Sequence, residues 1–222
     1  MWKSIIYKEW LKIRWFVIGF TALGMLAVGY IFLKVQHDIA FMQAKNYWYA
    51  MLFQGMQYFS YLHLMPLLGG LAIGIAQYFP ETVNKRIKLT FHLPVNENKV
   101  LLMMLAFGAA CIVASFGILF LLFFIFSKMF FAGQIVTGAF ITIFPWIWSG
   151  VAAYFLVGLI VMEPIWKYRI MYAIVSVFFL GLYLKSVLTA SYVPVNPVLF
   201  VLSILLSISM LFSAYRFRKG EM

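Results

Sequence analysis

Six apolar runs separated by shorter polar connections divide this chain: Trp15 to Leu33, Tyr58 to Phe79, Val100 to Phe126, Ile135 to Met162, Ile170 to Leu188 and Val198 to Tyr215. Each is close to or above the roughly 20 residues that a helix rising 1.5 Å per residue needs to cross a hydrocarbon core of about 30 Å. The pattern predicts an all-α integral membrane protein with six transmembrane helices, occupying residues 1–222 as a single membrane domain. The length of the third and fourth runs predicts tilt, and Pro145 predicts a kink in the fourth because it removes one helical donor. The first run is longer than a signal-peptide core and lacks a small-x-small cleavage pattern after it, so it is expected to remain as a span.

Ahead of the first run, residues 1–14 carry a different pattern. At 100° per residue Trp2, Ile5, Ile6, Trp10 and Ile13 share one face, while Lys3, Ser4, Lys8, Lys12 and Arg14 surround the other. This predicts an amphipathic interfacial helix with its aromatic face at the headgroup boundary and its cations against anionic lipid. Glu9 falls within the apolar face, where a bare carboxylate is costly to desolvate. It needs a partner, either Lys12 three residues on or a group elsewhere in the bundle.

The connection over residues 80–99, P-E-T-V-N-K-R-I-K-L-T-F-H-L-P-V-N-E-N-K, is the most informative polar stretch. Val83, Ile87 and Phe91 recur every four residues with Lys85, Arg86 and Lys88 on the flanks, a short amphipathic helix that Pro94 stops. A loop that only joins two spans needs no apolar stripe, although a basic anchor resting on lipid would account for the cations alone.

Composition agrees with a bilayer as the main solvent: 65% of the residues are hydrophobic, 20% aromatic and 10% charged, with a formal net charge of +11. A soluble globule needs roughly a quarter of its surface charged, and basic nucleic-acid binders are not this apolar, so neither class fits. Of the 17 Lys and Arg, thirteen fall on one side of the six-span arrangement: Lys3, Lys8, Lys12, Arg14, Lys85, Arg86, Lys88, Lys99, Lys167, Arg169, Arg216, Arg218 and Lys219. That bias predicts cytoplasmic termini and a multi-pass protein of the cell membrane.

Candidate chemistry within the chain is sparse. No Asp, Glu, Lys or Arg falls near the middle of a predicted span, which argues against an ion-coupled carrier, since a relay needs a group that changes charge inside the membrane. There is no G-x-x-x-x-G-K-[ST] phosphate loop, no H-E-x-x-H and no carboxylate pair, so no catalytic residue is assigned. Cys111 stands alone. His37, Met42, Met51, Met56 and His63 are soft or imidazole ligands without tight spacing, and Met packs irregular helix contacts as readily, so no metal site is assigned. Gly70-x-x-x-Gly74 permits close helix approach, within the chain or between two copies. Between the first two spans, Tyr47, Trp48 and Tyr49 form a candidate outer gate or belong to the aromatic belt of an interfacial helix.

Taken together, Lys8-Glu9-Trp10-Leu11-Lys12 in an amphipathic arm, then Glu81, Lys85 to Leu89 and Leu93-Pro94-Val95 between the second and third spans, resemble the permeases of ABC type-2 transporters. In that family the arm is an elbow helix, and the loop after the second span is a coupling helix that docks on a separate ATPase. The family pattern is a Glu, a Gly or Asn a few residues on, and a basic-apolar run ending in Leu-Pro-Val or Leu-Pro-Ile. Asn84 stands where Gly is frequent. The resemblance implies that Glu81, Val83, Asn84, Arg86, Ile87, Phe91, Leu93 and Pro94 couple to an ATPase, and that Trp2, Glu9 and Trp10 mark the elbow.

It further implies a permease subunit of an ATP-driven exporter, paired with a second permease copy or paralogue and with cytoplasmic ATPase subunits. ATP and Mg would be bound by the partner ATPase, with no cofactor in this chain and no nucleic-acid partner. The family handles lipids, glycolipids, peptides and drugs, so an amphiphile is the expected cargo. A membrane scaffold or immunity protein, or an independent carrier, are the alternatives.

Overall fold

Long runs of Leu, Ile, Val, Phe and Ala leave the backbone little to bond with except itself, and in an apolar solvent the helix is the local solution. The computed structural model describes residues 2–83, 97–185 and 193–219, with the side chains of residues 2, 97, 98 and 211–219 left aside. Seven α-helices make up the described chain, with no strand: α1 (Trp2–Met42), α2 (Ala44–Phe53), α3 (Met65–Val83), α4 (Glu97–Phe130), α5 (Gly133–Met162), α6 (Trp166–Leu184) and α7 (Asn196–Lys219). A single 3-10 turn, Ser60–Leu62, precedes α3. Five of these segments are long and apolar enough to cross a membrane, the architecture of a multi-pass membrane protein, and α7 is apolar over Asn196–Met210, as far as its side chains are described.

Element boundaries depart from the sequence expectation in three places. The arm is not a separate element: α1 runs without a break from Trp2 to Met42. Nothing between Lys12 and Trp15 can stop a helix, as no Gly or Pro falls there. At 1.5 Å per residue such a helix is about 60 Å long, roughly twice the hydrocarbon thickness, so it projects beyond the core. The second apolar segment runs over Ser60–Val83, its α-helix α3 starting only at Met65 after the 3-10 turn and continuing past Phe79 through Pro80 to Val83. Tyr58 and Phe59 sit ahead of it in a turn, both buried. The fifth span begins earlier than Ile170, at Trp166, and α6 ends at Leu184, while residues 186–188 of the expected span lie outside the described residues. Helix α5 continues through the buried Pro145.

Helix α5 is the hub, packed against α3, α6 and α7, while α1 packs mainly on α4 and α3. Its centrality follows from small side chains that let backbones meet. A Cβ on Gly70 would lie 1.9 Å from the Gly150 carbonyl oxygen, and one on Gly150 would lie 2.4 Å from that of Pro66. The Gly70-x-x-x-Gly74 pair therefore packs inside the chain, against Gly150 and Val157 of α5.

Two large apolar clusters and two small ones fill the bundle. One large cluster holds Val28, Phe32, Tyr47, Tyr58, Phe123 and Trp146, and the other holds Ile13, Ile73, Tyr78, Leu105, Ile112 and Tyr154. The outward faces stay apolar, as at Leu23, Leu26 and Leu33 of α1 and Ile174, Val177 and Phe178 of α6. Large exposed apolar surface of this extent belongs against lipid.

Candidate functional site

The second cluster encloses polar groups. On α1 the buried stripe is Ile5, Glu9 and Ile13, spaced four apart, with Ile5 against Val100 and Met104 of α4 and Ile13 among Ile73, Leu101 and Leu105. Trp10 and Ile6 flank the stripe and remain exposed. The arm thus presses the middle of its apolar face on α3 and α4. The side chain of Trp2 lies outside the described residues.

Glu9 is 1% exposed and Glu81, in the last turn of α3, is 0% exposed. Both of the alternatives open for Glu9 are realised. Lys12 Nζ donates to Glu9 Oε1 at 2.5 Å, and Gln77 Nε2 of α3 donates to Glu9 Oε2 at 3.0 Å. The same Lys12 ammonium bonds Glu81 Oε1, which also pairs with Lys8 Nζ at 3.0 Å. Two cations thus face two carboxylates. Glu81 Oε2 is buried without a partner among the described residues. A buried ion pair adds little net stability against a well-packed apolar pair, but breaking one exposes the full desolvation penalty of the survivor, about 3–5 kcal/mol. The cluster ties α1 to α3.

From this cluster a hydrogen-bond chain runs inward. Gln77 Nε2 also donates to the Met104 carbonyl of α4 at 2.8 Å, and Gln77 Oε1 accepts from Tyr154 Oη of α5 at 2.8 Å. Tyr154 Oη in turn accepts from Tyr78 Oη at 2.5 Å. Each of the amide's groups is satisfied, as burial requires. The network needs room beside α4, and Gly108 leaves it: a Cβ there would fall 2.1 Å from Tyr154 Oη and 2.2 Å from Gln77 Oε1. Four helices meet on this one constellation.

Sequence reasoning singled out Glu9 and Glu81 separately and had no means of joining them across the intervening chain. It missed Gln77, Tyr78, Tyr154 and Gly108. A signal existed for two of them, because Gln77 and Tyr154 are polar residues inside apolar runs, where an unsatisfied group is expensive. Of the other residues assigned to coupling, Val83 is exposed at the end of α3, while Asn84, Arg86, Ile87, Phe91, Leu93 and Pro94 lie outside the described residues, as does His92.

At the opposite end the three candidate gate residues separate. Tyr47 is buried with its ring stacked on Phe131 at 6.4 Å, and burial, helped by the charge of Asp38, pushes its phenol up to about 12. Trp48 and Tyr49 are exposed, Tyr49 lying against Phe53. Gln43, at φ 64°, turns the chain from α1 into α2, a backbone region that most side chains avoid. His63 Nε2 bonds the Leu184 carbonyl at 2.9 Å and meets Trp146 edge-on, and His37 stacks on Phe41. Among the described residues no three His, Cys, Asp or Glu side chains come together as a metal site.

Compared with known proteins, the chain matches no family model, no curated protein and no solved structure.

Proposed function

We propose that this chain is the membrane-spanning subunit of an ATP-driven exporter of the ABC type-2 kind, working with cytoplasmic ATPase subunits and a second copy or paralogue of itself. In this reading α7 is the sixth span, both termini are cytoplasmic, and the protein resides in the cell membrane. ATP and Mg belong to the partner, and the cargo is an amphiphile.

One observation carries the reading. The two segments that resemble the family, the arm over residues 3–14 and the connection that begins at Glu81, are tied directly by the Lys8 and Lys12 pairs to Glu81. A push on the connection after Val83 would reach α1 and α3 as one body, which is what a rigid transmission element requires. From there Gln77 and Tyr154 lead the displacement to α4 and to the hub helix α5.

The test is copurification of an ATPase with the chain. Ile87→Asp or Phe91→Asp should release it, because desolvated apolar centres dominate docking interfaces. Lys85→Ala should do less, since exposed ion pairs contribute about 0–1 kcal/mol. A lipid anchor would reverse that ranking. Full ATPase retention by both aspartate variants, or no ATPase partner for the unaltered chain, removes the proposal and leaves a scaffold or an independent carrier.

A further inference from the structure

Where α3 and α5 end and α6 begins, the bundle surface opens into a groove with about 490 Å³ of room. Its walls are apolar: Phe79 and Val83 from α3, Ile160 and Val161 from α5, Pro164 from the connector and Trp166 at the head of α6. Thr82 and Arg169 supply the polar groups. The Thr82 hydroxyl is already used, donating to the Phe79 carbonyl at 3.1 Å. Arg169 is used only in part. Its Nη2 donates to the Glu163 carbonyl at 2.8 Å and more weakly to that of Val161 at 3.4 Å, and its guanidinium lies 5.3 Å from the centre of the Trp166 ring. Its Nε is buried with no acceptor among the described residues. That N–H is out of a ligand's reach, but the guanidinium side chain lines the groove, and a cation bordered by an apolar wall favours an anion that brings an oxygen to it.

The surroundings narrow that anion. The apolar wall continues into the exposed rows Leu68, Ile75 and Phe79 along α3 and Ile170, Ile174 and Phe178 along α6, surfaces fit for acyl chains. Trp166 and Tyr168 are exposed beside Arg169, the residue types that collect at the headgroup level, with Lys167 exposed between them. The Glu163 side chain is buried and is not part of the groove wall. A water-soluble anion would gain nothing from six apolar wall residues, whereas a lipid uses both halves of the site.

We propose that this groove binds an anionic phospholipid, its phosphate accepting from Arg169 and its upper acyl chains lying along α3 and α6. The site is independent of the exporter reading, as it needs only a bilayer.

The full chain in detergent, incubated with equal amounts of phosphatidylglycerol and phosphatidylcholine, should retain phosphatidylglycerol preferentially when weighed by native mass spectrometry. Arg169→Gln should cut that preference about tenfold, the expected scale for losing a charge-assisted hydrogen bond. Because Arg169 also holds two carbonyls, Val83→Asp is the second variant: it sets a like charge in the groove, leaves those bonds in place, and should lower the preference similarly. Unchanged preference in both variants overturns the proposal. Displacement of the lipid by millimolar inorganic phosphate also overturns it, marking a plain anion site. Retention of neither lipid overturns it too, and points to a protein segment as the occupant.

Discussion

Lys12 reaches across from α1 to Glu81 at the end of α3, a carboxylate 69 residues away in the sequence, while holding Glu9 on its own helix three residues back. One ammonium, 13% exposed at its side chain, thus bridges two buried carboxylates, and Lys8 supplies the second cation at Glu81. The arm and the exit of α3 are consequently a single electrostatic unit.

Replacing Lys12 with Met should destabilise the purified protein by about 3–5 kcal/mol, because the two carboxylates lose their shared partner. Glu81→Gln alone should cost less, since Lys12 keeps Glu9. Combined, the two changes should fall short of the sum of their separate effects, as expected for residues in one network. Thermal unfolding in detergent measures all three, and strict additivity would show that the pair is not coupled.

Gly108→Ala should be destabilising by roughly 1–3 kcal/mol, although Ala is ordinarily the better helix residue. The added methyl displaces Tyr154 Oη or Gln77 Oε1. Gly19→Ala and Gly117→Ala serve as controls, since nothing lies within 4 Å of either Cβ, and both should be neutral or slightly stabilising. The same melting experiment decides, and equal behaviour of all three would remove Gly108 from the network.

At the α3–α5 contact, Gly70→Ala should be more damaging than Gly74→Ala. The first meets backbone at 1.9 Å, which cannot rotate away, and the second meets the Val157 side chain at 3.1 Å. Overpacking of the first kind typically costs 1–3 kcal/mol and occasionally more. If the pair instead joined two copies, Gly70→Ala would change the oligomer distribution on size exclusion and leave the melting temperature unaltered.

Tyr47 gives a pH dependence. Its phenol titrates near 12 when folded, above the ordinary value of about 10, because the charged form is poorly tolerated in its buried place. The folded state therefore holds its proton longer than the unfolded state. The associated stability is present in full below pH 10 and declines as pH rises toward 12. Tyr47→Phe should flatten that part of the melting-temperature profile relative to the unaltered protein. An unchanged slope between pH 10 and 12 would mean that the ring is solvated.

The fold class was legible in the sequence because solvent decides it: runs this apolar can only be helices in lipid, and each run signals itself independently of the others. The stops within those helices were less legible. Residues 12 to 15 contain nothing that ends a helix, and neither does the stretch from Tyr58 to Leu64, which holds no Gly or Pro, so the sequence could not separate the arm from α1 or exclude Tyr58 from α3. Partner choice was beyond the sequence altogether. That Glu9 required a partner followed from its place on an apolar face, but its bonds to Lys12 and Gln77, the closure of Gly108 on Tyr154, and the choice of Gly150 as the surface facing Gly70 are distances between helices far apart in the chain. Local composition determines that a buried charge must be neutralised, and only the packing of α1, α3, α4 and α5 decides by what.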